Sequence, residues 1–330
     1  MSILRKWHGI SALLLALACL PVPWAAAADD SAKAQQERQQ TQPLNNAPLW
    51  REVRSEQAGF STLPAPESGV LIQSGGITWR DWRNGPVTFY GGLLLLIVPA
   101  AILIFYLRKG PLKVHEPPTG HKTQRFTRFE RIAHWGTAFS FLALALSGVM
   151  LLFGKHVLTP VLGHWLAALL IILGKNVHNL VGPIFLGFLA VMIFHFARDN
   201  LWQACDALWI RKGGGLINGE HVPAGRFNFG EKAWFRLGVT VVGLIVTASG
   251  LVLDFPNFGQ TRALLQTVNL IHGVAALALI ALSFTHIYMG TLGTEGALDA
   301  MRTGEVDDAW AKEHHELWYE EVKTGKSGPH

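Results

Sequence analysis

Charge is scarce in this sequence: Asp, Glu, Lys and Arg make up 15% of its 330 residues, while half are apolar. With a mean hydropathy of +0.26, that balance excludes an ordinary soluble domain. Several long, nearly uncharged runs instead describe a polytopic membrane protein. Cysteine is scarcer still. Of the two, Cys19 lies in an N-terminal segment expected to be removed, which leaves Cys205 with no partner for an internal disulfide. There is no CxxCH site for c-type haem and no cysteine set for an iron–sulfur cluster, so any electrons must arrive from a partner. Carboxylates are almost missing from the apolar runs, which counts against a metal transporter, whose sites usually gather carboxylates near the midplane. The formal charge is +5 and the isoelectric point about 9.3, but the basic residues fall between the apolar runs. No basic segment interleaved with aromatics supports nucleic-acid binding.

Along the chain, residues 1–28 carry Arg5 and Lys6, an apolar stretch from Ile10 to Leu20, and small residues before Asp29. This pattern predicts a signal peptide. Residues 29–86 are Gln-, Pro-, Ser- and Gly-rich and read as a largely irregular periplasmic segment, with 69–86 suited to the membrane surface through Trp79 and Trp82. Spans are expected at about 87–107, 132–153, 176–197, 233–253 and 264–292. Residues 157–173 are apolar enough to compete, but Pro160 and Gly163 favour an interfacial or re-entrant helix. Most loop Lys and Arg lie in 108–131 and 198–232, few in 154–175 and 254–263. The positive-inside rule therefore puts the basic loop 108–131 and the tail 293–330 in the cytoplasm. The expected fold is an all-α membrane protein: a four-helix bundle over 132–292 plus one extra N-terminal helix.

Histidine is what the spans do contain. His272 and His286 are 14 residues apart in one apolar run. On a helix this brings them within roughly 40° of one face and separates them by about 21 Å along the axis. His134 opens span two and His178 lies early in span three, so the four sort by depth into His134 with His286 and His178 with His272. Two imidazoles at each of two levels are what two six-coordinate b-type haems require. Interhelical hydrogen bonding is the plainer use of a lone membrane histidine, but four matched by depth favour haem. Gly136, Gly148, Gly182, Gly250 and Gly273 lie near these histidines and could admit a flat macrocycle or close helix contact. Arg128 and Arg131 could meet haem propionates or simply anchor the cytoplasmic edge. His195, 17 residues after His178, faces about 100° away from it and reads as a polar helix-end residue or a quinone-site contributor. His314 and His315 read as surface or partner contacts of the tail.

From Arg125 to Val322 the sequence resembles the cytochrome b (gamma) subunit of respiratory formate dehydrogenase. The resemblance is carried by RFERIAHW at His134, the histidine before Gly182-Pro183, RFNFGEK (226–232), LIHGVAA at His272, THIYMG at His286 and WAKEHHELWYEE (310–321). It implies a four-helix di-haem cytochrome b of the bacterial inner membrane. In it His134 and His286 hold the cytoplasmic haem b, and His178 and His272 the periplasmic one. It implies partners as well: an iron–sulfur (beta) subunit and a molybdenum or tungsten catalytic (alpha) subunit, with quinone as substrate. The family's quinone pocket matches Asn228 and Gly230, and Glu231 stands where a glutamine is common. The implied role is to pass electrons from the periplasmic partner through the haems to quinone in formate-dependent respiration, with formate oxidised on the partner. A cytochrome b subunit of a hydrogenase or thiosulfate reductase is the alternative within the same chemistry.

Overall fold

The computed structural model describes residues 74–215 and 222–325; the expected signal peptide and most of the 29–86 segment lie outside them. Among the described residues, five helices are long and apolar enough to cross a membrane. They are α1 (Gly75–Lys109), α2 (Arg128–Phe153), α3 (Leu158–Phe196), α5 (Phe229–Asp254) and α6 (Arg262–Gly293), with a short α4 (Ala204–Lys212) before α5. Their outward side chains are apolar and open, Phe194 at 82% and Trp165 at 79% exposure, as lipid-facing surfaces must be. At one end, α7 (Ala297–Arg302), α8 (Asp308–His314) and α9 (Glu316–Thr324) form a small cap. A two-stranded antiparallel ribbon stitches the cap to the bundle: β1 (Lys122–Gln124) pairs with β2 (Glu305–Asp307), Thr123 opposite Val306.

Helix starts on the cap side are written into the sequence as reciprocal caps. Thr127 and Glu130 open α2, Gln203 and Asp206 open α4, and Asn228 and Glu231 open α5. In each, a side chain accepts from the third backbone N–H while the acidic residue accepts from the cap N–H, satisfying two otherwise orphaned donors. The core sits here too: Phe126, Phe196, Phe235, Trp310 and Trp318 form one buried cluster joining cap to bundle.

Two boundaries differ from the sequence reading. Residues 75–86 are helical and continuous with the first span, not irregular. Pro86 is accommodated because the turns at Arg83–Val87 widen to π geometry and Thr88 Oγ1 donates to the Arg83 carbonyl at 2.6 Å. Trp79, expected at the interface, donates from Nε1 to Asn269 Oδ1 at 3.1 Å and so ties α1 to α6. The second difference is at 157–173, which is no separate interfacial helix. The backbone kinks at Gly163 (φ 76°) and then runs unbroken to Phe196. The resulting 33-residue rod (164–196) is about 50 Å long, well over a hydrocarbon core of roughly 30 Å.

Candidate cofactor site: two histidine levels

The long helices bring the four histidines together in two pairs. On the side away from the cap, the rings of His178 (α3) and His272 (α6) have centroids 6.0 Å apart; on the cap side, His134 (α2) and His286 (α6) are 6.2 Å apart. A metal–imidazole bond is about 2 Å, and a ring nitrogen sits about 1.1 Å from its ring centre. Two imidazoles in trans on one metal thus have centroids roughly 6 Å apart. Both pairs fit that spacing.

The far-side pair is fixed by hydrogen bonds. Ser147 Oγ lies 2.9 Å from His178 Nδ1 and 2.7 Å from the Ala143 carbonyl. The hydroxyl has one proton, which it gives to the carbonyl, so its oxygen accepts from the Nδ1–H of His178. Ser249 repeats the device: it donates to the Ile245 carbonyl at 2.6 Å and meets His272 Nδ1 at 3.1 Å. The Val246 carbonyl, which can only accept, is 3.0 Å from the same nitrogen. Both rings therefore carry their proton on Nδ1 and leave the Nε2 lone pair free, the form in which imidazole ligates a metal. Each serine is followed by glycine, and a Cβ added at Gly148 or Gly250 would stand 3.3 or 3.2 Å from Cε1 of His178 or His272. Close approach of the ring is what these two glycines serve.

The cap-side pair is fixed by aromatic faces. Trp234 stacks on His286 at 4.9 Å and 15°, and Trp135 meets His134 edge-on at 5.2 Å while donating to the Met301 carbonyl. His134 Nδ1 is buried with no hydrogen-bond partner, an orphaned polar atom of the kind found at binding sites. Widened π-type turns follow both Trp234 (through Val242) and His286 (Met289–Gly293), again a frequent mark of function. This pair opens into a cavity of about 1290 Å³ that is also lined by Asn228, Gly230, Glu231 and His315. Single-ligand pockets run to roughly 1,000 Å³, so there is room for a macrocycle and a second molecule. His178 and His272 do not line it.

Other expected site residues fall elsewhere. His195 joins an ion network, 3.2 Å from Glu130, which also binds Arg226 at 2.6 Å, with Asp199 beyond. It does not line the cavity. Arg131 donates to the Arg302 carbonyl, and neither it nor Arg128 lines the cavity. Gly136 is filled by Phe188, Gly182 has nothing within 4 Å and Gly273 only Val87. His315, read from sequence as a surface or partner contact, is 1% exposed. It is held by Nδ1 donating to the Gly225 carbonyl at 2.9 Å and by the rings of Trp310 and Trp318. Burial pushes its imidazole well below the ordinary histidine range, and nearby Arg125 adds to the fall. Asn228 caps α5 by accepting from Glu231 N, and Gly230 leaves room for Trp209, which a Cβ would meet at 3.1 Å. Sequence reasoning passed over Ser147, Ser249 and Trp234. The repeated Ser-Gly on two spans was the available signal.

Residues 125–304 match the family model of the prokaryotic cytochrome b561 proteins. The chain is 33% identical over 204 residues to the formate dehydrogenase cytochrome b556(fdo) subunit of Escherichia coli K12, covering 60% of this chain and 92% of that one. It is 29% identical over 210 residues to the nitrate-inducible cytochrome b556(Fdn) subunit of the same organism, covering 61% and 92%. A third relative, the formate dehydrogenase cytochrome b556 subunit of Haemophilus influenzae, is 27% identical over 202 residues, covering 59% and 82%. With four depth-matched histidines in a helical membrane bundle and these likenesses, the chain belongs to the prokaryotic cytochrome b561 family, among the cytochrome b subunits of formate dehydrogenase.

Proposed function

We propose that this chain takes electrons from an iron–sulfur (beta) subunit, itself fed by a molybdenum or tungsten (alpha) subunit that oxidises formate, and delivers them to quinone. His178 and His272 hold one haem b and His134 and His286 a second, while Asn228 and Gly230 belong to the quinone pocket. When bound, haem b supplies reversible one-electron exchange. The observation that carries the reading is the pair of trans-spaced ring couples, with Ser147 and Ser249 fixing the ligating tautomer on one of them. Among the described residues, no three metal-ligating side chains converge. Two imidazoles per level leave the remaining positions to a macrocycle, which favours haem over a transported ion.

The residues' own work is positional. Ser147 and Ser249 orient the far-side rings and raise their basicity. Trp234 and Trp135 set the cap-side rings. The cap packs over the wide cavity and supplies part of its lining. In the bacterial inner membrane, the basic loops support a cytoplasmic cap and a periplasmic N-terminal segment, so quinone would be reduced near the cytoplasmic face.

Formate added to membranes holding the complex should reduce the b-type absorption, and a tag on this chain should recover an iron–sulfur subunit. Reduction by hydrogen but not by formate would assign the chain to another respiratory oxidoreductase.

A further inference from the structure

The cavity beneath the cap is lined by two groups that a pocket for quinone alone does not need. Glu231 faces it with its side chain 37% exposed, its Oε1 3.0 Å from the almost fully buried Arg125 guanidinium. Its Oε2 lies 3.9 Å from Nε2 of buried His315. Because the Gly225 carbonyl can only accept, the His315 proton is on Nδ1. The Nε2 lone pair then confronts a carboxylate oxygen: two acceptors with one vacant proton seat between them. The groups around this seat are Arg125 from the segment before α2, Glu231 from the start of α5, and His314 beside His315 on the cap. Towards solvent, the same cavity wall carries His115, Glu313 and Lys312, with His115 paired to Glu313 at 2.7 Å and 78% exposed. The opposite end is His286. Titratable side chains thus line the cavity both at its solvent-exposed wall and beside His286.

We infer that His315 and Glu231 form a proton relay into this cavity, passing protons from the solvent side to the oxygens of a bound quinone. The inference rests on the quinone reading above. Reducing a quinone to a quinol takes two electrons and two protons, one proton on each oxygen as the C=O bonds become C–OH. The electrons would be supplied by the haem b that His134 and His286 would hold, and the protons by water. For each proton, the Glu231 carboxylate, 37% exposed at the cavity wall, takes it from water, shares it with His315 Nε2 across the 3.9 Å gap and releases it to the quinone oxygen. Both groups return to their resting forms. Burial keeps His315 from holding the proton, so it does not become a trap.

The test uses membranes holding the assembled complex, with His315→Asn and Glu231→Gln. Asparagine can keep a donor for the Gly225 carbonyl, and glutamine can keep the reciprocal cap with Asn228. Both variants should retain haem content and dithionite-reduced spectra. Oxidation of the reduced b-type absorption by a soluble naphthoquinone should slow by about tenfold or more, with a larger solvent deuterium effect and a steeper fall at alkaline pH. Wild-type rates, deuterium effect and pH profile in both variants would overturn the relay while leaving the quinone reading intact. Failure of the naphthoquinone to bind or oxidise the wild-type cytochrome would overturn both.

Discussion

His178 and His272 give their Nδ1 protons to serine and backbone oxygens, whereas His134 and His286 are held by tryptophan rings with one Nδ1 left unpaired. The first pair sits between packed helices outside the large cavity; the second opens into it beneath the cap. The difference separates two tasks. Hydrogen bonding fixes a ring's tautomer and makes it a more basic ligand, which suits a site that only holds its group. Stacking fixes a ring's plane but leaves space beside it, which suits a site where a second molecule must approach. One helix, α6, supplies a histidine to both levels, so the contrast is made by the neighbours: Ser-Gly on α2 and α5 at one level, tryptophans and widened turns at the other.

The sharpest way to break the comparison is to remove one histidine from each level. His272→Ala and His286→Ala should each lower the haem content of the purified chain by half while leaving the other level loaded. Loss of both haems from either variant would mean the levels are not independent.

Next in size is the buried ion pair at the cap-side boundary. Lys232 Nζ, 0% exposed, lies 3.0 Å from both Asp206 oxygens and 2.9 Å from Gln203 Oε1. Lys232→Met leaves a buried carboxylate unpaired and should cost about 3–5 kcal/mol. Thermal unfolding followed at the haem band should show the loss at the cap-side component before the far-side one.

Ser249→Ala removes the hydroxyl partner of His272 Nδ1. Losing an outer hydrogen-bond partner of a ligating ring costs up to roughly 10–100-fold in metal affinity, less here because the Val246 carbonyl still accepts from His272 Nδ1, and redox titration should show the far-side component alone moving to higher potential. Trp234→Leu should act only on the other level, costing about 0.5–1.5 kcal/mol of ring packing, read as a changed b-type band shape. Equal shifts of both components in either variant would erase the distinction.

The smallest effect is on the cap itself. Burial pushes the Asp308 carboxyl up, but hydrogen bonds from Lys323 and Thr123 outweigh it and hold it below the ordinary range. With the folded value depressed, this carboxylate's stabilisation is complete above the ordinary carboxylate range and is lost as pH falls through the folded value. Acidification in that window should loosen the cap, seen in the fluorescence of Trp310 and Trp318.

Much of this was legible in the sequence because helical phase is arithmetic. Fourteen residues fix where His286 stands relative to His272, and the alternation of apolar runs fixes which ends are neighbours. What escaped depends on contacts between distant residues. Arg80, Asp81 and Pro86 hide the true start of α1, since nothing local shows that wide turns absorb the proline. Pro160 and Gly163 do mark a kink, but the helix resumes after it through the apolar run Trp165–Leu173. Three-residue strands carry too little alternation to read. His315 looks like a surface residue of a charged tail until the Gly225 carbonyl and two tryptophans close around it. Ser147 and Ser249 look like ordinary span serines until a histidine 31 or 23 residues away turns its ring toward each.

The central claim is that the two ring couples each hold a haem b. It is tested most directly by haem quantitation per chain on the purified protein, read with its reduced-minus-oxidised spectrum. The account predicts two b haems per chain in the wild type and one each in His272→Ala and His286→Ala. No b-type band, or a single haem in the wild type, would contradict it.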